Sequence, residues 1–414
     1  MSDVTVALLL TLDSKSEEGR YTFDALKKAG VKVWTIDMAL RPHDNNWADA
    51  SNHTLAEAAG VSMADLAKMG RNEAAETMIN GGIKVFQDKF KSDSFSGAIG
   101  VGGANGSTMF CALMRSLPPL LPKVMVTPVA ATAAVQWYVA ESDIAMFPSI
   151  ADISMNRIVT GAIDNAVSAI AAMARDHASG RTAPTDDQPP LVGVSSFGNL
   201  QPAVNYLTKE LTAKDYEVIH FHCSGPGGKA LESLAGQGML SGILDICTSE
   251  LCDLINGGVY APGEDRLTGA GKAGIPQVVA PGALDFTNWW VGEVPERFQD
   301  RDFFQYNVEI LLMHTNQEEF EILGNMMAER LNAATGPVTV MIPNKGFSGI
   351  SERDLHKLDG TVVGKWLQPE IDAVFTETLK ANLKHGVIRE LDLHINDPEF
   401  GDACLEVFYE MMGR

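Results

Sequence analysis

The chain has 414 residues, of which 45% are hydrophobic and 21% charged, with 38 glycines, as expected for a glycine-rich globular α/β protein. Its 32 basic and 53 acidic side chains give a net charge of −21, which repels nucleic acids and anionic membranes, so neither is expected as a partner. A small anionic ligand is still compatible with this charge, because helix N-termini and glycine-rich loops bind phosphate through backbone amides.

The sequence predicts neither export nor membrane insertion. The first apolar run, VTVALLL, has no basic region before it and is followed at once by TLDSKSEE, which favours a β-strand over a signal peptide. No apolar run reaches the roughly 18–20 residues that a transmembrane helix needs. The five cysteines are scattered, as is usual in a reducing compartment. We therefore expect a cytoplasmic protein without a disulfide framework, and we find no cysteine or histidine spacing that indicates zinc.

The N-terminal half alternates short apolar runs with segments of helical periodicity, which predicts strands joined by helices. The predicted strands contain VTVALLL, GVKVWTID, FSGAIGVGG, KVMVTPV and SDIAMFPS. The segment ASGRTAPTDDQPP then has the composition of a linker. We place the linker at residues 181–190, between an N-terminal domain at 1–180 and a C-terminal domain at 191–414.

The C-terminal half repeats the alternation. Its predicted strands contain LVGVSS, YEVIHF, GILDICT, IPQVVAPG, PVTVMIP and VIRELDLHI. Continuous apolar strands joined by helices predict parallel sheets covered on both faces. The predicted fold is therefore α/β, with two doubly wound, mostly parallel, Rossmann-like domains. Because ligands bind at the carboxyl ends of parallel strands, we expect a site in a cleft between the two domains.

The loop GGANGST at residues 102–108 lies between a predicted strand and a helix. Its glycines allow backbone to approach a ligand, and its hydroxyls stand near a helix start, so it is a candidate phosphate loop. A tight turn with Ser107 or Thr108 as the helix N-cap explains the same residues. The loop lacks the GxxxxGK[ST] pattern, which excludes a nucleotide hydrolase of the Walker type.

The loop HCSGPGG at residues 222–228 follows a second strand. The amides of Gly227 and Gly228 are candidates for anion binding, and a dinucleotide fingerprint is only weakly matched because the loop follows the second strand of its domain. His222 and Cys223 cannot form a catalytic dyad on an extended strand, where neighbouring side chains point to opposite faces. Cys223 is expected in the core, whereas His222 contacts a ligand or bonds within the core.

Three charged residues of the C-terminal half are candidates for catalysis or ligand binding. Glu250 stands at a helix start, where a proton-transfer role and a helix-dipole role are both open. Asp285 precedes Thr287 and Asn288, and oxygen ligands of this kind suit Mg²⁺ or a ribose. Arg266 is a candidate clamp for phosphate or carboxylate, with a surface ion pair as the alternative.

Several motifs together resemble one family in order and spacing, and they span essentially the whole chain. These motifs are TLDSKSEE, GVGGANGSTM, KVMVTPVA, FHCSGPGGKALE, GILDICTSELCDLINGG, GIPQVVAPGALDFTNW and HINDPEF. The family is the uncharacterised one typified by the ATP-binding N-terminal part of the tomato mosaic virus resistance protein. The resemblance implies a two-domain α/β protein that binds ATP and forms a homodimer or a larger homo-oligomer. Relatives in bacteria and fungi have no assigned reaction.

The resemblance also implies ligand-binding positions. The first family loop falls on Thr11 and Asp13 with Lys15 following. The second falls on Gly102, Gly103, Gly106, Ser107 and Thr108, and the third covers His222 to Gly228 with Ser224, Gly225, Gly227 and Gly228. This chain departs from the family pattern at Ser14 and Ser224, where threonine is usual, and in the alanine-rich stretch after residue 129.

Three functions are compatible with these residues. In the first, the protein binds ATP with Mg²⁺ and is an enzyme acting on a small acidic metabolite. The glycine loops then hold the phosphates, Lys15 and Arg266 neutralise their charge, and Asp285 or Glu250 binds the metal or transfers a proton. In the second, it is a nucleotide-independent hydrolase or lyase of an organic acid or acyl substrate, with His222 or Glu250 as base. In the third, it is a non-enzymatic module that binds a ligand or blocks a partner.

Overall fold

A computed structural model of the chain describes residues 4–45, 47–92, 95–181 and 188–413. The chain divides into two compact units, Met1–Asp186 and Asp187–Arg414. The division falls inside the segment 181–190 that we predicted as the linker, of which residues 182–187 lie outside the described residues. Both units contain a parallel sheet with helical crossovers, so the predicted two-domain, mostly parallel α/β fold is confirmed.

The N-terminal unit contains one five-stranded sheet in which every pair of neighbours is parallel, in the order β2-β1-β3-β4-β5. Its strands are β1 (Thr5–Leu10), β2 (Lys32–Asp37), β3 (Ala98–Val101), β4 (Lys123–Thr127) and β5 (Ala145–Pro148). Its helices are α1 (Ser16–Lys28), α2 (Asn52–Ala58), α3 (Met63–Leu66), α4 (Arg71–Ser92), α5 (Ala104–Arg115), α6 (Val135–Val139) and α7 (Arg157–Ala178).

Strand β1 shows why the apolar runs are continuous. Side chains of Ala7 and Leu9 pack into one core cluster, while those of Val6, Leu8 and Leu10 pack into another. Because successive strand residues point to opposite faces, both faces of the sheet are covered by helices and both demand apolar residues.

The strand order creates a switch point in this unit. The chain leaves β1 to form β2 on one side and then returns to form β3 on the other side. The loops that follow β1 and β3 therefore diverge at the carboxyl edge of the sheet, which opens a crevice there.

The C-terminal unit contains two sheets. A six-stranded parallel sheet has the order β16-β13-β9-β8-β6-β7, and a five-stranded antiparallel sheet has the order β10-β12-β11-β14-β15. The strands are β6 (Leu191–Ser196), β7 (Glu217–His222), β8 (Gly242–Cys247), β9 (Gln277–Gly282), β10 (Phe286–Trp290), β11 (Phe303–Gln305), β12 (Ile310–His314), β13 (Val338–Pro343), β14 (Asp354–His356), β15 (Val362–Lys365) and β16 (Val387–Leu391). The helices are α8 (Gln201–Ala213), α9 (Pro226–Gly236), α10 (Glu250–Asn256), α11 (Gly269–Ala273), α12 (Gln317–Asn332), α13 (Pro369–Asn382) and α14 (Pro398–Met412).

The antiparallel sheet was not among the elements that we predicted. Residues 283–315 combine polar turns with aromatic runs. The polar turns indicated a loop after β9, so the strands of this segment were not predicted. Asn307 makes the turn between β11 and β12, where its side chain accepts hydrogen bonds from the amides of Glu309 and Ile310. Such an Asx turn between apolar runs is a hairpin signal that composition alone does not reveal. Within the described ranges, no helix combines the length and apolarity needed to cross a bilayer.

Candidate functional site

A pocket of about 460 Å³ opens at the carboxyl edge of the N-terminal sheet, within the size range of small-ligand sites. It lies at the switch point between β1 and β3, where doubly wound sheets bind their ligands. All of the residues that line it belong to the first unit. They are Thr11, Asp13, Ser14, Lys15, Leu40, Arg41, Arg71, Gly103, Ala104, Asn105, Gly106 and Met109.

The start of helix α5 forms one wall of the pocket. Gly103 is the N-cap residue, and none of the described side chains caps this helix end. The first helical bond runs from the Ser107 amide to the Gly103 carbonyl, 2.8 Å away. The amides of residues 104–106 precede that bond and lie outside the helical ladder, so they supply partial positive charge to the pocket.

Three cationic side chains line the same pocket. The Lys15 ammonium donates to the Ile153 carbonyl at 2.5 Å, and the Arg41 guanidinium donates to the Ala67 carbonyl at 2.6 Å. Arg71 is exposed at the start of α4. Only one lining residue, Asp13, is acidic. The pocket is therefore locally cationic in a chain whose net charge is −21.

A hydrogen-bonded staple holds the loops after β1 and β2 together. The buried carboxylate of Asp37 accepts from the amides of Leu12 at 3.0 Å and Ala39 at 3.1 Å, and its other oxygen lies 2.7 Å from Nε2 of His43. The Asn45 side chain donates to the Leu12 carbonyl at 3.0 Å. Burial raises the pKa of Asp37, and these hydrogen bonds oppose the shift. The staple orders the backbone beside Asp13 and Arg41 before any ligand arrives.

Five of the predicted N-terminal ligand positions line the pocket, namely Thr11, Asp13, Lys15, Gly103 and Gly106. Three others do not, because they serve the fold. Ser107 is buried, and its hydroxyl donates to the Gly103 carbonyl at 2.9 Å and lies 2.8 Å from Thr127 Oγ1. The Thr108 hydroxyl donates to the Ala104 carbonyl at 3.2 Å. A Cβ at Gly102 would lie 3.2 Å from Gly106 Cα, so Gly102 allows the strand and helix to pack closely.

Sequence reasoning missed Arg41 and Arg71, which complete the cationic lining. Arg41 follows the second predicted strand, so its place at the carboxyl edge could have been inferred from strand order. Arg71 is 56 residues away from Lys15 in the sequence, and only the packing of α4 brings it to the pocket.

The glycine loop of the C-terminal unit binds the protein's own carboxylate. The amides of Gly225 and Gly228 donate to Glu250 Oε1 at 2.7 and 3.1 Å, and Glu250 is fully buried. A Cβ at Gly228 would collide with this carboxylate. The residues that we predicted as an anion site, including Gly227 in the same turn, therefore form a turn whose anion is internal. The internal carboxylate accounts for the amides of Gly225 and Gly228 without an external anion, whereas the proton-transfer role of Glu250 stays a prediction.

Arg266 is the partner of that carboxylate and not a ligand clamp. Its guanidinium is fully buried and donates to Glu250 at 2.8 Å, to Glu232 at 3.0 Å and to both oxygens of Asp245 at 2.5 and 2.7 Å. Asp245, which the dinucleotide fingerprint would assign to a ribose, is thus also internal. The prediction for Arg266 is corrected because a charge without solvent access must be matched by the protein itself.

Asp285 is buried as well. Its Oδ2 accepts from Ser348 Oγ at 2.6 Å and from Trp366 Nε1 at 2.7 Å, and burial raises its pKa. The two side chains expected beside it bond elsewhere, since Asn256 donates to Thr287 Oγ1 and Asn288 donates to Asp253, both at 2.8 Å. Asp285 Oδ1 and Asn288 Oδ1 are buried without a hydrogen-bond partner among the described residues, and the role of this cluster in binding Mg²⁺ or a ribose stays a prediction. The described residues contain no group of three or more potential His, Cys, Asp or Glu metal ligands.

His222 and Ser224 remain at the surface of the carboxyl edge. His222 is exposed and its ring stacks on Phe197, with centroids 5.3 Å apart and planes at 11°. The Ser224 hydroxyl donates weakly to the His222 carbonyl at 3.4 Å. Cys223 is fully buried, as expected, and burial raises the pKa of its thiol.

These features define a two-domain α/β protein with an anion-suited pocket at a sheet switch point. The chain belongs to the Uncharacterised protein family UPF0261: residues 4–179 match its N-terminal domain and residues 189–412 its C-terminal domain. The predicted family resemblance is confirmed.

Curated relatives of this family cover nearly the full chain. A UPF0261 protein of Mesorhizobium japonicum is 35% identical over 95% of this chain and 96% of its own length. One from Clostridium tetani is 34% identical over 99% of both chains. The ToMV resistance protein Tm-1 of Solanum lycopersicum is 32% identical over 97% of this chain, which corresponds to 55% of its own length.

Solved structures match this chain at low sequence identity and with low TM-scores. A UDP-N-acetylglucosamine 2-epimerase has 10% identity and a TM-score of 0.23, covering 67% of this chain and 79% of its own. The UDP-GlcNAc 2-epimerase of Methanocaldococcus jannaschii has 8% identity and a TM-score of 0.22, covering 99% and 93%. Values this low support no inference about chemistry.

Proposed function

We propose that this protein binds a nucleotide, with ATP as the ligand implied by the family resemblance, and that the phosphate groups occupy the pocket of the N-terminal unit. The observation that carries this proposal is that Lys15, Arg41 and Arg71 line the same pocket as the open start of α5. Phosphate is the anion that such a combination of guanidinium groups and helix amides binds well.

The pocket has the parts that a nucleoside triphosphate needs. Its volume of about 460 Å³ accommodates a phosphate chain with part of the nucleoside. Leu40 and Met109 supply apolar surface within the same lining. Several cationic groups in one pocket favour a ligand with several negative charges over a single carboxylate.

Asp13 is suited to hold Mg²⁺ beside the phosphates. It is the acidic residue of the lining, it is exposed, and its Oδ1 accepts from Ser14 Oγ at 3.0 Å. Mg²⁺ in nucleotide sites is commonly held by one or two carboxylates, phosphate oxygens and water. The carboxylate of Asp13 would therefore contribute to the metal only when the nucleotide is bound.

The enzymatic step on a small acidic metabolite, the cleft between domains and the homo-oligomeric state all stay predictions. The competing hydrolase or lyase mechanism also stays a prediction, and of its two candidate bases His222 is exposed whereas Glu250 is buried and bonded to Arg266. The non-enzymatic alternative, a module that binds a ligand or blocks a partner, predicts binding without turnover.

Calorimetric titration with ATP, with and without Mg²⁺, tests the proposal. Each of the variants Arg41→Ala and Arg71→Ala should weaken ATP binding about tenfold, because each removes a charge-assisted contact to phosphate. Asp13→Asn should reduce the difference between the titrations with and without Mg²⁺. Arg20→Ala is the matched control, since Arg20 lies in the same unit but packs over Phe23 and Trp47. Absence of ATP binding, or equal loss in the control, would contradict the proposal.

A further inference from the structure

We propose a second ligand site in the C-terminal unit, around the loop Phe197–Asn199 at the carboxyl ends of β6 and β7, which binds an uncharged planar ring carrying hydrogen-bond donors and acceptors. This site goes beyond the nucleotide pocket and lies in the other unit. It includes His222, which precedes the glycine loop whose Gly225 and Gly228 amides are bonded to Glu250.

The imidazole ring of His222 is held in place by a neighbouring ring, and its two nitrogens are available for hydrogen bonds. Its ring stacks on Phe197 while the residue stays exposed. No described residue hydrogen-bonds to either ring nitrogen. By contrast, ring nitrogens of His220 and His314 in the same unit bond to Thr208 and to the Trp366 carbonyl, at 2.7 and 2.9 Å. A stacked and unbonded imidazole at a strand end can both donate to and accept from a ligand.

Aromatic rings continue outward from the same loop. Phe197 contacts Tyr260 edge-on at 6.0 Å between centroids, and Tyr260 contacts Trp290 at 6.3 Å. Trp290 is 40% exposed and Tyr306 is 41% exposed. The Tyr306 hydroxyl approaches so closely that a Cβ at Gly198 would lie 2.8 Å from it. Exposed aromatic faces grouped in this way are typical of surfaces that stack on a ring.

Asn199 supplies an independent sign of a polar ligand. The residue is only 8% exposed, and both the oxygen and the nitrogen of its side-chain amide are buried without a hydrogen-bond partner among the described residues. Its backbone carbonyl is fixed by the Gly349 amide at 3.2 Å and by the Asn396 side chain at 3.0 Å. A buried amide normally has partners, and in this proposal the ligand supplies them.

The charges around the site favour a neutral ring over an anion as the ligand. None of the five residues Phe197, Asn199, His222, Tyr260 and Tyr306 is a lysine or arginine. Burial raises the pKa of Tyr260, and the charges of Asp253 and Glu309 add to the shift, which indicates negative potential at its hydroxyl. An anion is therefore disfavoured here, whereas a neutral heterocycle gains stacking and hydrogen bonds.

The position in the fold agrees with a binding role. The chain leaves β6 for β7 on one side and returns to β8 on the other, so the loop 197–199 follows a strand at the switch point of the second sheet.

Histidine-ring and indole NMR spectra of the full chain provide the test, with adenine, uracil and nicotinamide as neutral probes at millimolar concentration. At least one probe should shift both the His222 ring signals and the Trp290 indole signal. His222→Ala and Asn199→Ala should each weaken that binding about tenfold, by loss of stacking and of paired hydrogen bonds. Adenosine monophosphate should bind more weakly at these signals than adenine, because it carries negative charge.

Two comparisons keep this site separate from the nucleotide pocket. His220→Ala removes a histidine from the same strand, one whose ring is bonded to Thr208, and should leave probe binding unchanged. His222→Ala should leave ATP titration unchanged, so failure of one site does not imply failure of the other. The proposal is wrong if none of the three probes shifts the His222 and Trp290 signals, or if the Trp290 shift persists undiminished in both His222→Ala and Asn199→Ala.

Discussion

Buried charges in the C-terminal unit illustrate how much a residue's role depends on its partners. Arg266 meets the carboxylates of Glu232, Asp245 and Glu250 within one network. Removing such groups from water costs several kcal/mol each, roughly, and the cost is offset only when every lone pair and proton is bonded. Residues bonded in this way have no free atom to offer a substrate, so their chemistry is structural.

Asp372 predicts a pH dependence of stability. Burial, and then the charge of Asp285, raises the pKa of Asp372 to about 8, whereas an unfolded aspartate titrates near pH 4, roughly. The folded state therefore binds more protons between these values. The contribution of Asp372 to the free energy of unfolding is fully present below about pH 4. It is lost as the pH rises through about 8, by up to about 1.4 kcal/mol per pH unit.

Asp372→Asn, which keeps a neutral side chain at every pH, should remove this loss. Relative to the unmodified protein, the variant should gain stability between about pH 5 and about pH 9 in urea unfolding. Asp392→Asn changes a carboxylate whose side chain is 85% exposed and should not reproduce the trend. An identical difference at both pH values would show that Asp372 ionises normally in the folded state.

At the scale of elements, two similar glycine loops have opposite roles. The loop before α5 leaves its first amides open to the pocket, whereas the loop before α9 donates its amides to Glu250. Gly225 in the second loop has φ of +91°, and a Cβ there would lie 3.0 Å from the Ala261 carbonyl. Its glycines are required by backbone conformation and by the internal carboxylate, and not by a phosphate.

Gly228→Ala tests the internal role of that loop. The added methyl group would collide with the Glu250 carboxylate, so the variant should lose about 1–3 kcal/mol of unfolding free energy. Gly236→Ala in the same helix has no atom within 4 Å of the added Cβ and should change stability by less than about 1 kcal/mol. Equal stability of the two variants would mean that Glu250 leaves the loop readily.

The whole molecule consists of two units, each with its own core. Alternate residues of β1 fill two clusters on the two faces of the first sheet, and separate clusters surround the sheets of the second unit. All of the described residues that line the cationic pocket lie between Thr11 and Met109, within the first unit.

Residues 1–186 expressed alone should therefore fold and bind ATP with an affinity within about threefold of the full chain. Circular dichroism establishes folding, and calorimetry measures binding. A folded fragment that has lost ATP affinity would instead indicate that the ligand also needs the second unit, as the predicted cleft between domains requires. The background heat is measured with the full chain in which both Arg41 and Arg71 are replaced by alanine.

The sequence by itself determined the parallel strands, the two domains and the loops at their carboxyl ends. It could do so because a strand covered on both faces needs a continuous apolar run, and because glycine and polar residues mark where each run ends. Thr11, Asp13, Lys15, Gly103 and Gly106 were found in this way or through the family resemblance, since they follow β1 and β3 directly.

Only the tertiary structure decided which of these groups remain open to a ligand. Glu250 lies 25 residues beyond Gly225 and Arg266 a further 16 beyond Glu250, yet both fold back to occupy the second glycine loop. Arg41 and Arg71 reach the first pocket through the packing of distant segments. Hydrogen bonds and charges act over a few ångströms in space, whatever the separation along the chain. The pattern of residues alone therefore does not reveal which groups become bonded to each other in the folded protein.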